Sequence, residues 1–448
     1  MHEYDEETEA LAAAVVAHAL TRLRSNQLLD RPPSPVELGR RAGTTITANG
    51  LGGAEALRIW SEILGPSTIS IDDPAFMAFV PGAPTKASAL FDLVISASAT
   101  YGGTWIEGAG AVWAENQVLA WLTGLAGMPE GSGGCFVSGG TAGNLSALVA
   151  ARHAATTARH GARPARWRLA AAESAHASVV AAARVMDADI LTVPMDDRGR
   201  LTGDALRRAL DGAEDDLFAV VASAGSTNVG LIDELDEIAT ICRDRALWLH
   251  VDGAYGGAAL LAPSVRERLR GVERADSLTV DPHKLLFAPF DACALIYRDP
   301  AVARSAHQQQ ASYLETLNAS SEWNPSDLAH HLSRRPRGLP LWFSLATYGT
   351  DAYSDAIETV LALTRLAADE IRTRAELELL MEPELSVVLF RRIGWTEPDY
   401  ETWWRQLLDQ HLAFVQPTSW KGEKVARLCF ANPRTTVDHV RAVLDAMA

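Results

Sequence analysis

Lysine is almost missing from this chain of 448 residues: it stands only at positions 86, 284, 421 and 424, so 36 of the 40 basic residues are arginine. A lysine in such a background supplies what guanidinium does not, a compact amine able to give up its proton. Cysteine is equally scarce. Cys135, Cys242, Cys293 and Cys429 lie far apart and form no CxxC pair, which argues against a disulfide scaffold, a structural zinc site or any other metal centre. Basic charge is in deficit, with 40 Lys and Arg against 56 Asp and Glu and a formal charge of −16. Nucleic acids are held by clustered cations, so they are not the expected partner. No apolar run reaches the ~18 residues that a membrane-spanning helix needs. The opening Met1-His-Glu-Tyr-Asp-Glu-Glu is acidic where a secretory leader would be positive. The expectation is a cytoplasmic enzyme with a small-molecule substrate, no nucleic acid and no membrane.

The length predicts two to three domains around a large core. Residues 5–25, 53–64, 86–100 and 110–126 read as helices. From Cys135 short apolar runs alternate with helical ones. Strands are predicted at Cys135-Phe-Val, Trp167-Arg-Leu-Ala-Ala, Ile190-Leu-Thr-Val, Leu217-Phe-Ala-Val-Val-Ala-Ser, Leu247-Trp-Leu-His-Val, Ser277-Leu-Thr-Val and Cys293-Ala-Leu-Ile-Tyr. Seven strands with helices between them predict an α/β domain built on a mainly parallel sheet covered on both faces. A long helix through 350–376, two strands and a last helix at 435–447 read as a small α+β domain. The predicted division is an N-terminal helical segment over 1–70, a large α/β domain over 71–345 and a small C-terminal domain over 346–448.

Ligands of such sheets bind at the carboxyl ends of the strands, and five of those ends carry reactive groups. Lys284 follows a strand and Pro282 and is itself followed by Leu285-Leu-Phe. An amine in apolar surroundings has its pKa pushed down, which frees the lone pair for imine formation. The plainer alternative is a surface lysine packed along the sheet. Asp252 ends the strand His250-Val-Asp; it could cap a helix, bind a metal or pair with a protonated ring nitrogen. Ser138-Gly-Gly-Thr-Ala-Gly-Asn joins a strand to a helix and offers free N–H groups to a single phosphate. It lacks the lysine of a Walker loop and the spacing of a dinucleotide turn. His176 opens a helix after a strand, and Gly225-Ser-Thr-Asn adds the hydroxyls of Ser226 and Thr227. An amine, a carboxylate, an imidazole, hydroxyls and an anion cradle at one edge are far more specific together than singly.

Taken together these residues resemble the pyridoxal-phosphate-dependent group II amino-acid decarboxylases, which include aromatic-amino-acid, tyrosine and glutamate decarboxylases. The resemblance runs from about Ile71 to the end. It rests on Ser-Gly-Gly-Thr at 138–141, His-x-Ser at 176–178, His-Val-Asp-x-Ala-Tyr at 250–255, Pro-His-Lys at 282–284, Tyr313-Leu and Asn432-Pro-Arg-Thr-Thr. It implies a fold-type-I enzyme, pyridoxal 5′-phosphate (PLP) as cofactor, and a homodimer with shared active sites. Carried over by motif, Lys284 is the Schiff-base lysine with His283 beside it. His176 stacks on the pyridine ring, Asp252 holds its nitrogen protonated, and Ala254 packs on the other face. Gly140 and Thr141 bind the phosphate, Thr227 contacts ring substituents, and Tyr313 is the mobile-loop proton donor. The implied reaction is decarboxylation of an L-amino acid through an external aldimine and a quinonoid.

On the substrate side Phe79, Pro81, Tyr101 and Gly103 match the family's substrate-facing segments. Gly103 falls where aromatic decarboxylases place a Phe, so the expected pocket is opened toward a bulkier or more polar side chain. Asp281 stands where those enzymes carry Asn. Two other outcomes at the same site stay open: oxygen-dependent deamination to an aldehyde, and β-elimination from a cysteine conjugate of secondary metabolism. A different fold-type-I activity and a silent, regulatory paralogue are the remaining readings. The intact Lys284, Asp252, His176 and Tyr313 count against the silent one.

Overall fold

The computed structural model describes residues 2–25, 29–212, 216–310, 312 and 322–448. Seven strands form its main sheet: β1 (Gly133–Val137), β2 (Arg168–Ala172), β3 (Asp189–Val193), β4 (Leu217–Ser223), β5 (Trp248–Asp252), β6 (Ser277–Val280) and β7 (Cys293–Tyr297), in the order β1-β7-β6-β5-β4-β2-β3. Neighbours are parallel except where β7 meets β1 and β6. Six strands therefore end at one edge, and β7 alone opposes them. All seven residues of β4 and all five of β7 are buried, as continuous apolar runs must be when helices cover both faces.

The helices are α1 (Glu6–Arg24), α2 (Pro35–Ala42), α3 (Gly53–Ile59), α4 (Lys86–Ala97), α5 (Trp105–Ala126), α6 (Gly140–Ala158), α7 (Ala177–Val185), α8 (Gly203–Leu210), α9 (Leu235–Asp244) and α10 (Pro300–His307). Three more lie nearer the C-terminus: α11 (Leu339–Arg372), α12 (Glu397–Asp409) and α13 (Val437–Asp445). The second sheet is antiparallel, in the order β10-β11-β9-β8, from β8 (Leu377–Leu379), β9 (Val387–Arg392), β10 (Thr418–Trp420) and β11 (Glu423–Cys429). Val388, Phe390 and Leu428 of this sheet share one buried cluster with Val220, Val251 and Leu278 of the main sheet. Among the described residues no helix is long and apolar enough to cross a membrane.

Two helices begin earlier than the sequence predicts. The long helix starts at Leu339 rather than 350, because its periodic part follows Gly349, whose φ of 78° kinks it. The helix expected from 110 starts at Trp105, with Gly108 leaving helical geometry inside it. A non-helical stretch over 75–85, ahead of α4, joins the two sheets. Phe414 N–H donates to Ala75 O, Met77 N–H to Phe414 O, and Cys429 N–H to Met77 O, at 3.0, 2.8 and 2.9 Å. Farther along, Thr85 N–H donates to Phe287 O at 2.9 Å. At Gly82 a Cβ would stand 2.0 Å from the carbonyl oxygen of His283, so only glycine lets the stretch pass the turn that carries Lys284.

Candidate active site

Because six strands end at one edge, the loops after β1, β2, β4, β5 and β6 converge on one cavity of about 340 Å³. Gly140, Thr141, His176, Thr227, Asp252, Ala254, His283 and Lys284, which lie up to 144 positions apart in the sequence, all line it. Asn144, Asp281 and Phe290, to which the motifs assign no role, line it as well.

Each group is held by its local structure. Gly139 caps α6 without a side-chain hydrogen bond, so the first N–H groups of that helix face the cavity as an anion site. A Cβ on Gly140 would come within 3.1 Å of Ala254 Cβ and 3.2 Å of Asp281 Oδ2, which keeps the backbone there accessible. His176 caps α7: its Nδ1 accepts from Ser178 N–H at 3.2 Å and lies 2.8 Å from Ser178 Oγ. Asp252 Oδ2 accepts from Asn144 Nδ2 at 2.8 Å and Oδ1 from Ala254 N–H at 3.1 Å. His283 Nδ1 lies 2.7 Å from Ala292 O, and burial pulls its pKa down against the pull of Asp281. Phe290 stands 4.7 Å from the His283 ring.

Lys284 corrects the sequence reading. Its Nζ lies 2.9 Å from Asp281 Oδ2. Burial works to lower its pKa, but Asp281 beside it and Asp252 beyond it outweigh that, and the ammonium is held above the ordinary lysine value. The apolar residues after Lys284 suggested the opposite; the deciding charge sits three positions before it. Asp281 is 2% exposed, and its Oδ1 has no hydrogen-bond partner among the described residues. A buried acceptor left open, an uncapped helix start, an amine and a carboxylate fit an anionic aldehyde cofactor with a ring nitrogen.

The substrate-side residues are arranged differently from the expectation. Phe79, Pro81, Tyr101 and Gly103 are not part of the cavity lining. Phe79 is 59% exposed, with its ring 6.2 Å from that of Phe414. Gly103 leaves no opening, because a Cβ there would meet the Tyr101 hydroxyl at 2.2 Å and its ring carbons just beyond. The Tyr101 ring takes that space, held by its hydroxyl donating to Leu332 O at 3.0 Å. Tyr313 lies outside the described residues.

Residues 59–393 match the family model described as the pyridoxal-dependent decarboxylase conserved domain. The chain is 29% identical over 450 residues to the aromatic-L-amino-acid decarboxylase of Bacillus atrophaeus, covering 97% of this chain and 92% of that protein. It is 33% identical over 390 residues to the L-2,4-diaminobutyrate decarboxylase of Rhizobium meliloti (strain 1021), covering 84% and 78%. Among solved structures, Oryza sativa TDC with PLP and tryptamine superposes with a TM-score of 0.92 at 24% identity, over 100% of this chain and 98% of that one. At that identity the likeness concerns the fold.

Proposed function

We propose a substrate and a division of labour from one premise: the chain belongs to the pyridoxal-dependent decarboxylase family. It is a carboxy-lyase acting on amino acids, with pyridoxal 5′-phosphate as its cofactor. The observation that carries the reading of the site is the meeting of Lys284, Asp252, His176 and the start of α6 in one cavity.

In this reading Lys284 is the amine that would anchor the cofactor, and the N–H groups at Gly140 and Thr141 would hold its phosphate. His176 and Ala254 would flank the ring, Asp252 would keep a proton on its nitrogen, and Thr227 and His283 would contact its substituents. The bound cofactor supplies an electron sink for the pair left behind when carbon dioxide departs. The chain's own task is then to orient the substrate carboxylate, exclude water and return one proton to carbon. Tyr313 or His176 is the proposed donor, and a positioned donor contributes about 10²–10⁴-fold. The proposed substrate is an L-amino acid with a bulky side chain, because Phe290, 55% exposed and lining the cavity, offers a flat apolar surface beside the reacting groups. The polar preference first read from Gly103 loses its ground once Tyr101 occupies that space. Phe79, Pro81 and Tyr101 are proposed to bear on substrate across the shared edge of a homodimer. Four free, buried cysteines suit a reducing, cytoplasmic setting.

The test loads the protein with cofactor and offers a panel of amino acids, including bulky cysteine conjugates. Products are identified by mass spectrometry while dissolved oxygen is followed. An amine without oxygen uptake is the expected result. An aldehyde with oxygen consumption, or pyruvate with a thiol, would replace the reaction while keeping the site. Lys284→Ala is expected to lose both turnover and the borohydride-sensitive absorbance band; retention of either would overturn the assignment of Lys284.

A further inference from the structure

Under the cavity floor lies a run of buried polar side chains that the division of labour leaves without a task. His250 and Asp252 are two residues apart on β5 and so face the same side of the strand. Asn144 lies one turn into α6 from Gly140, against that side. Its carboxamide is 1% exposed and fully engaged. Asn144 Nδ2 donates to Asp252 Oδ2 at 2.8 Å and to Ser178 Oγ at 2.9 Å, while Oδ1 lies 2.9 Å from His250 Nε2 and 3.2 Å from Thr279 Oγ1. His250 Nδ1 lies 2.8 Å from Ser277 Oγ, which accepts from Trp248 Nε1 at 2.8 Å. At the other end Ser178 Oγ lies 2.8 Å from His176 Nδ1.

The direction of every hydrogen in this run follows from the partners. The Asp252 carboxylate only accepts, so Asn144 turns Nδ2 toward it and Oδ1 toward His250 Nε2, and the neutral ring is left to take the Ser277 hydroxyl hydrogen at Nδ1. His250 then carries its hydrogen on Nε2 and donates it to Asn144 Oδ1. The amide could be turned the other way only by setting its oxygen against the Asp252 carboxylate, an acceptor facing an acceptor. Both amide hydrogens therefore point to Asp252 and Ser178, and because His176 Nδ1 accepts from Ser178 N–H at 3.2 Å and so carries no hydrogen, the Ser178 hydroxyl donates to it as well. Burial lowers the His250 pKa to about 4, against the pull of Asp252, so the ring stays neutral through the physiological range and the polarity of the run holds.

We propose that Asn144 is a positioning residue that keeps the ring hydrogen of His176 on Nε2 by fixing the direction of the Ser178 hydroxyl, and that it aligns Asp252 with the same amide group. The ring nitrogen of His176 that is not engaged with Ser178 is then a donor, and the two residues assigned to the cofactor ring are set by one side chain. What this means for catalysis rests on the function proposed above; the position of the hydrogen does not.

The test is nitrogen NMR of the full-length chain labelled with ¹⁵N-histidine, before and after loading with pyridoxal 5′-phosphate, with His176→Gln identifying the signal. The wild-type ring is expected to show an unprotonated Nδ1 and a protonated Nε2. Asn144→Asp puts an acceptor against Ser178 and draws its hydroxyl hydrogen away, leaving His176 with the Ser178 N–H alone. Its two nitrogen shifts are then expected to move toward each other. Ser178→Ala is expected to move them the same way, and Ser178→Thr to restore the wild-type pattern. Cofactor affinity should separate the variants: about tenfold weaker in Asn144→Asp, which touches Asp252, and nearly unchanged in Ser178→Ala. A wild-type His176 with its hydrogen on Nδ1, or either variant keeping the wild-type shifts, would overturn the proposal. Failure to bind cofactor at all would instead defeat the functional reading, since the unloaded spectra still report the tautomer.

Discussion

At the scale of single residues, the sequence directed attention to a lysine that the structure places in the cavity, and misjudged its charge. Scarcity singled out Lys284, and the order of motifs placed it beside Asp252 and His176. The ion pair with Asp281 was not legible, because a side chain three positions back can point to either side of a turn. Its consequence has a sign. Lys284 has a pKa raised in the folded chain by Asp281 and Asp252 against burial, so the pair stabilises the fold through neutral pH and stops doing so only as pH climbs past that raised value. Asp281→Asn removes the nearer charge, so more of the amine is unprotonated at pH 7. Growth of the borohydride-sensitive band on adding cofactor should be faster in this variant, and its pH profile should shift to lower pH. A slower rise would mean that Asp281 acts as the base that takes the lysine's proton. Gly103 teaches the same lesson from the other side: a missing side chain reads as space until its neighbour, Tyr101, is seen standing in it.

Most elements long enough to show a period were legible, with α12 an exception, and the shortest were not. Six apolar runs ending at a common edge explain why the cavity could be assembled on paper from five loops. β8 and β10 have three residues each, too few to display alternation, and α12 escaped notice although the structure gives it a capping box at Thr396. Nor does a local pattern announce the link between α5 and the segment leading into α11. There Arg334 grips Glu115 through two hydrogen bonds of 2.8 Å, with the side chains 0% and 1% exposed. Gly338 N–H also donates to Glu115 Oε1 at 2.8 Å, and Arg334 donates to Gly102 O. Breaking such a pair leaves one charge buried alone, which typically costs ~3–5 kcal/mol. Glu115→Gln and Arg334→Met should each lower the unfolding free energy read from a urea titration by that order. The double change Glu115→Leu with Arg334→Met should cost less than either single change. Additive losses would show that the pair acts as two independent anchors.

For the whole molecule, the apolar surface that is left uncovered speaks to assembly. α1 buries none of its 19 residues, and Val15, Leu93, Val94, Ile106 and Trp113 are between 43% and 70% exposed. A second copy covering these helices is the arrangement proposed here. Sedimentation should give twice the 48.2 kDa of one chain, and Trp113→Arg should shift the mass toward the monomer with loss of activity. A fully active wild-type monomer would refute it. The stretch over 75–85 carries a further consequence. It is laced by its main chain to β11 and the residue-414 loop at one end and to the Lys284 turn at the other, and at Gly82 it passes that turn with no room for a methyl group. Its length is thus as constrained as the distance between two fixed posts. Side-chain changes at Phe79, Val80 and Pro81 are free to enter, and under the role proposed for Phe79 and Pro81 they would tune what the enzyme accepts. A single residue inserted or deleted among them would drag the reactive amine out of register, so along this stretch evolution can repaint the chain but not re-cut it.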